Sequence, residues 1–449
     1  MFVSRSLSNE PIMSATFLKS DYSYRLLFTA GYRVLLAVVS IMMTVEVRAD
    51  WPGWRGQLRD GRAGDVQVPE KWPKELTMLW SHEVGIGHAS PVISGNRIYQ
   101  FVRDGERELL KCFDFQGHQQ WVSPSYLASY RLHELALAHG KGPKSTPMVV
   151  DDCIVTLGIN SVLSGWSPAN GSLKWRREFK GPFGSTSPRY GTATSPLAIG
   201  RTCITHVGGQ GGGKLLALDG RDGSTVWEWT RDGPGYSSPV LARLGKTFQI
   251  VVMTQENVVG VASQSGTLLW KIPYKTDFTV NTVTPTVYKE MVIVSGFHRG
   301  ISAYRFDADQ LDEHGRWTPV EVWHNPNVSM YMSSPVIVGD RMYGFSQTSS
   351  GELFCLNPVN GKLIWTGEAR MGDHASLVAT DNYILVLTDL SELIIIPVGT
   401  ENYERSATYF VSDQKTWAHP VWMQNSVLIK DTTRLMMYAF GNPTVEGPE

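Results

Sequence analysis

The chain has 449 residues, a formal net charge of −1, and only 18% charged residues. The charge is balanced and no long run of Lys and Arg occurs, which excludes nucleic-acid binding through a basic surface. Hydrophobic content is ordinary at 42%, whereas Gly (43) and Trp (15) are abundant. Many short apolar runs between glycine-rich turns indicate an all-β fold.

The N-terminal region has the pattern of a secretory signal. Basic residues up to Arg33 precede an apolar run from Val34 to Val45, and Val47 and Ala49 fit the positions before a cleavage site. A run of about 12 residues is too short to cross a bilayer of roughly 30 Å as a helix. We therefore predict a signal peptide with a long n-region over residues 1–49 and cleavage near Ala49. The mature chain is expected to be periplasmic or otherwise exported, without a membrane span; an uncleaved anchor is the alternative.

One pattern recurs along the rest of the chain. Each copy opens with small polar residues and usually a Pro, continues through three apolar runs, and closes with a Gly turn and a Trp. The opening prolines are Pro91, Pro147, Pro196, Pro239, Pro285 and Pro335, and the closing tryptophans are Trp121, Trp175, Trp227, Trp270, Trp323 and Trp365. Two degenerate copies follow, opening around His374 and Trp417. A period of about 40–55 residues with four short strands is typical of a β-propeller.

The last copy lacks its final strand, and the missing strand is found at the other end of the repeat region, at Leu76–Trp80. We therefore predict an eight-bladed β-propeller of four-stranded antiparallel blades over residues 76–441, with the ring closed by the N-terminal strand. Closure removes an open sheet edge. Residues 50–75 are predicted to form an extended segment before the ring, and residues 442–449 a C-terminal tail.

The repeated residues have physical reasons. Pro cannot donate to a β-ladder, so it belongs on the innermost strand, which is an edge facing the channel. The Gly before each Trp supplies a hairpin turn with positive φ. The Trp buries a large flat surface and is expected to dock on the neighbouring blade.

Three further features of the chain carry predictions. The insertion Ser125–Lys144 is predicted to form a short capping helix and a loop that delivers Lys144 to the channel mouth. The acidic, polar stretch Phe306–Trp317 is predicted to be a solvated loop. Four cysteines lie in different repeats without CxxC spacing, and we predict buried thiols: Cys112, Cys153, Cys203 and Cys355.

The channel mouth is the candidate binding site, because every innermost strand begins there with polar residues. The candidate ligand-binding residues are His88, Ser90, Lys144, Ser145, Thr194, Tyr236, Ser237, Asn281, Ser333, His374, Trp417 and His419. Imidazoles, one Lys and hydroxyls suit an anionic or sugar-like ligand. The alternative is that short polar residues simply line a narrow water-filled channel. A three-His metal site from His88, His374 and His419 is a further alternative; no metal site and no catalytic residue are assigned.

The repeats resemble those of the pyrroloquinoline quinone (PQQ) propellers, whose motif runs roughly Ala-x-Asp-x-x-Thr-Gly-x-x-x-Trp. Ala217-Leu218-Asp219 through Gly223 and Trp227 match it, and Asn357 through Trp365 match it more weakly. The start Trp-Pro-Gly-Trp-Arg-Gly at residues 51–56 is similar to that of exported bacterial PQQ-like propellers of unknown role. The resemblance, which covers about residues 76–441, implies the fold; function varies within the family.

That family has three branches: PQQ-dependent alcohol and sugar dehydrogenases, the scaffold lipoprotein BamB, and exported propellers of unknown role, which this chain resembles most. The resemblance implies three features for the dehydrogenases: a Ca²⁺ ion that holds PQQ, a carboxylate that acts as the base, and often a disulfide between two adjacent cysteines. This sequence has no vicinal Cys pair and no matching Glu, Asn and Asp set, and no Cys for lipid attachment follows its apolar run.

We therefore predict an exported, non-catalytic PQQ-like propeller, monomeric and without an assigned cofactor. It is expected to act as a scaffold in the cell envelope that binds a protein or a small polar ligand. The alternatives are a PQQ-dependent alcohol or sugar dehydrogenase with PQQ and Ca²⁺ as cofactors, and a carbohydrate-binding propeller that uses Tyr236 and Trp417.

Overall fold

The computed structural model of the protein describes residues 50–64, 66–179 and 188–441, which form eight antiparallel sheets. Seven sheets have four strands, and the first gains a short fifth strand at Tyr126–Leu127. The predicted eight-bladed all-β propeller is thereby confirmed. The predicted signal peptide and C-terminal tail lie outside the described residues. No helix in the described ranges is long and apolar enough to span a membrane.

Each sheet is one blade, and its strands run in chain order from the innermost to the outermost, except that blade 8 takes its outermost strand from the N-terminus. Blade 1 comprises Val92–Ser94, Arg97–Asp104, Arg107–Phe113 and Gln119–Val122, and blade 2 comprises Met148–Val150, Cys153–Leu157, Val162–Trp166 and Leu173–Glu178. Blade 3 comprises Leu197–Ile199, Thr202–Gly209, Gly212–Asp219 and Thr225–Arg231, and blade 4 comprises Val240–Leu244, Thr247–Met253, Asn257–Ala262 and Leu268–Pro273. Blade 5 comprises Thr286–Tyr288, Met291–Ser295, Ile301–Leu311 and Trp317–Asn325, and blade 6 comprises Val336–Val338, Arg341–Ser346, Glu352–Leu356 and Leu363–Thr366. Blade 7 comprises Ala375–Ala379, Tyr383–Thr388, Glu392–Pro397 and Ala407–Phe410, and blade 8 comprises Val421–Met423, Ser426–Lys430, Arg434–Ala439 and Thr77–Glu83. Short 3-10 helices occur at Glu134–His139, Asp277–Thr279 and Thr348–Ser350.

The middle strands of the blades form the core. In blade 2, every residue of Cys153–Leu157 and Val162–Trp166 is buried. A sheet that is covered by a neighbour on both faces needs apolar residues on both faces, which explains continuous apolar runs in place of alternation. All four cysteines are free thiols buried in these runs, as predicted.

The closing Trp of one blade docks on the next blade, also as predicted. The Trp121 indole donates to the Pro168 carbonyl at 3.2 Å, and a Cβ on Gly171 would lie 2.5 Å from the Trp121 ring. Gly171 has φ +72°, so this position demands glycine both for its backbone conformation and for the close approach of the indole. The same donation to the next blade recurs at Trp80, Trp175, Trp227, Trp323 and Trp365.

A circle of hydrogen bonds joins the innermost strands through the residue before each Pro. Its backbone N–H donates to the hydroxyl at the same position of the next blade, in the pairs Ser90 to Thr146, Thr146 to Ser195, Ser195 to Ser238, Ser238 to Thr284, Thr284 to Ser334, and His419 to Ser90. The last pair, at 2.8 Å, joins blade 8 to blade 1 and helps to close the ring. The pattern changes at blade 7, where the Ser376 hydroxyl lies 3.1 Å from Nε2 of His374.

Ring closure has a second component. Thr77–Glu83 pairs with Arg434–Ala439, which confirms the predicted closing strand. Lys430 is fully buried, and its ammonium donates to the carbonyls of Gly87, Asp431 and Thr432. Because Gly87 precedes blade 1 and Lys430 belongs to blade 8, this side chain ties the two ends of the ring together.

One sequence prediction is wrong in detail. The stretch Phe306–Trp317, predicted to be a solvated loop, is mostly a hairpin, because strand Ile301–Leu311 extends through it and pairs with Trp317–Asn325. The reason is packing: the rings of Phe306 and Trp270 lie 4.1 Å apart, so an aromatic residue of the insertion covers the tryptophan of blade 4.

Candidate functional site

The channel mouth contains a pocket of about 390 Å³. It is formed by the residues at the start of the innermost strands, by loops above them, and by Trp54. Among the described residues, seven aromatic side chains line it: Trp54, Tyr190, Tyr236, Phe278, Phe297, Tyr331 and Trp417. Four imidazoles and one Lys from the same ranges join them: His88, His139, His374, His419 and Lys144.

Strand alternation decides which residues face the pocket. The residues one and three places before each Pro line it, because side chains two apart lie on the same face of an extended chain. The residues three places before the Pro, or before its Leu377 equivalent in blade 7, are His88, Lys144, Ala193, Tyr236, Thr282, Met332, His374 and Trp417. The intervening residue, such as Ser145 or Thr194, is buried and does not line the pocket.

Of the twelve candidate residues, seven line the pocket: His88, Ser90, Lys144, Tyr236, His374, Trp417 and His419. The other five do not: Ser145, Thr194, Ser237, Asn281 and Ser333. Some of these have structural partners. Asn281 is fully buried and donates to the carbonyls of Thr254 and Tyr274, and the Ser333 hydroxyl accepts from the backbone N–H of Ala375. A ligand-binding role for any of the twelve stays a prediction.

Residues 51–63, here called the plug, lie across the end of the channel opposite the mouth. Trp51 exchanges two backbone hydrogen bonds with Ile93 of blade 1, at 3.0 and 2.9 Å. Ala63 donates to the carbonyl of Ala379 in blade 7 at 2.8 Å. Between these points, Arg59 donates to the carbonyl of Ser195 beside blade 3 at 2.9 Å. Because blades 3 and 7 face each other in a ring of eight, the plug crosses the channel and makes the pocket blind.

The plug also supplies the pocket floor. Trp54 lines the pocket, and its ring lies 5.3 Å from that of His419 in an edge-on contact. The guanidinium groups of Arg55 and Arg59 each lie 5.4 Å from the Trp54 ring centre. Both arginines are buried and donate to backbone carbonyls, Arg55 to Pro335 and Arg59 to Pro196. Burial lowers their pKa values, to about 10 for Arg55 and about 9 for Arg59.

Aromatic contacts order the wall formed by blades 7 and 8. The rings of Trp417 and His374 stack with centres 5.3 Å apart and planes 17° apart. His139, from the 3-10 helix Glu134–His139, meets the Trp417 ring edge-on at 4.4 Å. Nε1 of Trp417 and Nδ1 of both His88 and His419 are buried, without a hydrogen-bond partner in the described part of the chain. The wall is therefore closely packed, and some of its buried ring nitrogens have no partner among the described residues.

Burial sets the protonation of this wall. It lowers the pKa of His374 and of His139 to about 4, and those of His88 and His419 well below 6.5. The imidazoles are therefore neutral near pH 7. Burial also lowers the pKa of Lys144 to about 8, and its ammonium donates to the Tyr190 carbonyl at 2.6 Å. The predicted delivery of Lys144 to the mouth by the 125–144 insertion is confirmed.

The three-His metal alternative does not fit the geometry. Across residues 50–64, 66–179 and 188–441, no group of three or more His, Cys, Asp or Glu side chains could hold a metal ion. The imidazoles are engaged separately: Nε2 of His88 faces the His139 carbonyl at 3.0 Å, and His374 lies between the hydroxyls of Ser333 and Ser376 at 3.3 and 3.1 Å.

Several lining residues were not among the candidates. Trp54 comes from the plug, and His139, Tyr190, Phe278 and Tyr331 come from loops between blades. The alternation of the innermost strands would have found Thr146, Ser195, Ser238, Thr284 and Ser334. No repeat signal marks the loop residues, since each occurs once.

Comparison with known proteins places the chain in a family. A family model described as outer membrane protein assembly factor BamB matches residues 77–367 and 213–415. No curated protein matches the chain by sequence.

Among solved structures, BamB from Moraxella catarrhalis superposes with a TM-score of 0.58 at 15% identity, covering 82% of this chain and 98% of that one. The quinohemoprotein alcohol dehydrogenase from Comamonas testosteroni gives 0.61 at 13% identity, with 89% and 82% covered. A europium-containing methanol dehydrogenase gives 0.53 at 10% identity, with 87% and 98% covered. At these identities the likeness shows the fold alone. The matched repeats and the eight blades show that the chain belongs to the PQQ-repeat, BamB-like family of β-propellers.

Proposed function

We propose that this chain is an exported, non-catalytic propeller that binds a small organic ligand in the channel-mouth pocket. The observation that supports this proposal most strongly is the cavity of about 390 Å³, which is lined by aromatic rings and a few polar groups. That combination is how proteins hold small molecules, with the rings supplying contact area and the polar groups fixing orientation. Export rests on the sequence pattern of residues 1–49 alone.

Unused polar atoms in the wall support a ligand. Trp417 and His419 line the pocket, and each keeps a buried ring nitrogen without a partner in the described ranges. A buried polar atom without a hydrogen bond costs roughly 1–3 kcal/mol. A guest reaches such an atom when the ring that carries it turns towards the pocket, and the hydrogen bond then recovers part of that free energy.

PQQ held by Ca²⁺, the cofactor of the dehydrogenase branch, fits this lining poorly. Ca²⁺ takes oxygen ligands, chiefly carboxylates and carbonyls. None of the described residues that line the pocket is Asp or Glu. The lining therefore offers neither carboxylate ligands for calcium nor a carboxylate base, and we propose no step through PQQ.

Calorimetry on the chain from Asp50 onward tests the proposal. The probes are 2-naphthoate, 2-naphthamide, cellobiose, and PQQ with Ca²⁺ or with EDTA. We expect at least one naphthalene probe to bind, and Trp417→Ala to weaken that binding about tenfold, since a lost aromatic contact is worth roughly 1 kcal/mol or more. Phe410→Ala is the matched control, because Phe410 is 72% exposed on the outermost strand of blade 7.

The other outcomes separate the alternatives. Binding of cellobiose alone would favour a carbohydrate-binding propeller. Tight binding of PQQ only with Ca²⁺, together with dye reduction by alcohols, would make the protein a dehydrogenase. If no probe binds up to millimolar concentration, the proposal of a small organic ligand fails.

A protein scaffold is the second candidate function. Exposed apolar side chains surround the mouth: Leu135, Leu137 and Phe278 are 66%, 68% and 60% exposed. Phe278 has φ +59°, a strained conformation for a bulky residue. A photo-cross-linking residue at position 137 would form a discrete protein adduct in intact cells if the mouth docks a protein. The same residue at position 173, on the outermost strand of blade 2, is the control.

A further inference from the structure

In the part of the chain that the structure describes, the charged side chains that line the pocket or contact its floor are all cations, and Asp389, a buried carboxylate behind His374, is already paired with Lys415 at 2.9 Å. Lys144 lies in the wall, and Arg55 and Arg59 lie against the Trp54 ring of the floor. Among the described residues, neither Lys144 nor either arginine forms an ion pair with a carboxylate within 4.0 Å. Asp60 is exposed and close enough to raise the pKa of Arg55, but its carboxylate accepts from the Arg62 backbone N–H and forms no ion pair with Arg55.

Within the described ranges, these cations donate to neutral acceptors only. Both arginines donate to backbone carbonyls, and the one hydrogen bond that the Lys144 ammonium donates to a described residue goes to the Tyr190 carbonyl at 2.6 Å. An ammonium has three donors, so two remain for a guest. Backbone carbonyls satisfy the hydrogen-bond donors of the ammonium and guanidinium groups, but they do not neutralise the positive charge. In a site of low dielectric constant, that positive charge attracts an anion strongly.

We infer that the pocket takes an organic anion of the aromatic carboxylate class and needs no divalent cation to do so. The carboxylate lies at Lys144, and the aromatic part packs among the rings of Tyr236, Trp417 and Trp54. In a calcium-assisted site the metal would supply the positive charge; here the side chain of Lys144 and the plug arginines supply it. This inference rests on the proposed function and narrows its ligand class.

The matched probes 2-naphthoate and 2-naphthamide test the inference, because they share one ring system and differ in charge. At pH 7 in EDTA, we expect calorimetry to show 2-naphthoate binding about tenfold or more tightly, since hydrogen bonds to charged groups are worth roughly 1.5–3 kcal/mol. Lys144→Met should remove most of the preference, while Lys144→Arg, which keeps the charge at this pH, should retain most of it.

Lys141→Met is the control. Lys141 lies on the same loop, but its ammonium pairs with Glu106 at a distance of 3.6 Å, and Lys141 does not line the pocket. Thermal unfolding of each variant verifies folding. Equal binding of the two probes, or 2-naphthoate binding that requires Ca²⁺, overturns the anion inference and leaves the ligand site standing. Failure of both probes to bind overturns the inference and the proposed function together.

Discussion

At one end of the channel the plug is held to the inner strands, with Trp51 paired to Ile93 and Ala63 to Ala379. At the other end, Trp417 and His419 border open space and keep ring nitrogens without partners in the described residues. The same short strands serve both ends: their far ends pair with the plug and their starts face the pocket. The difference teaches that one inner strand can be structural at one end and available to a guest at the other.

Trp51→Ala tests the structural end and should have the largest effect. Trp51 is 3% exposed and belongs to the core cluster that spans blades 7, 8 and 1, so we expect a loss of about 3–5 kcal/mol in the free energy of unfolding. Urea denaturation followed by circular dichroism measures it. Leu58→Ala in the same plug is the control, since Leu58 is 80% exposed and should change stability by less than about 0.5 kcal/mol. Equal effects of the two substitutions would mean that the plug does not belong to the cooperative fold.

At the mouth, His374 should make stability depend on pH. Its pKa is lowered to about 4 by burial, below the 6.5 of an unfolded imidazole, so the unfolded state binds the proton more readily between these values. The contribution is complete above pH 6.5 and is lost as pH falls towards 4, on the order of 2–3 kcal/mol.

Urea denaturation from pH 7 to pH 4 checks this, and His374→Gln should flatten the dependence. His118→Gln is the control, because the side chain of His118 is 76% exposed. An unchanged slope in His374→Gln would show that this imidazole is not held neutral by the wall.

Between the two ends, the circle of hydroxyls should contribute stability. Ser238 accepts from the Ser195 N–H at 3.0 Å, and Ser238→Ala leaves that buried donor unpaired, at a cost of about 1–3 kcal/mol. The exposed Ser224→Ala should be nearly neutral. Differential scanning calorimetry compares the two variants. A Ser238→Ala variant as stable as Ser224→Ala would exclude a stabilising role for this link of the circle.

The repeat made the fold and half of the site predictable. Eight blades, the closing strand, the docked tryptophans and the position of Lys144 all follow from residues that recur, such as Pro147 and Trp175. The candidate list mixed residues facing the pocket, such as Tyr236, with the neighbour Ser237, whose hydroxyl donates to the Met253 carbonyl inside its own blade. Strand alternation separates these two, and a stricter use of it would have removed the error.

Trp54 and Phe278 could not be predicted, because no local rule places them. The extended segment expected over residues 50–75 gave no sign that part of it crosses the channel, since that path depends on contacts with blades far away in sequence. Phe278 sits in a strained turn of the loop that joins blades 4 and 5. Repetition predicts what every blade shares, whereas the pocket is defined by side chains that occur once.

The smallest expected effect concerns the charge at the mouth. Burial lowers the pKa of Lys144 to about 8, so its positive charge is lost as pH rises through that value. The groups that face it, His88, His139 and Tyr236, are neutral between pH 7 and pH 9, because burial lowers the imidazole pKa values and raises that of the phenol. Affinity for 2-naphthoate should therefore fall about tenfold from pH 7 to pH 9, whereas affinity for 2-naphthamide stays constant. Calorimetry at the two pH values measures both, and Lys144→Arg, whose guanidinium keeps its charge to higher pH than an ammonium, should weaken the dependence. An equal fall for the neutral probe would trace the effect to the fold of the mouth and not to the ammonium.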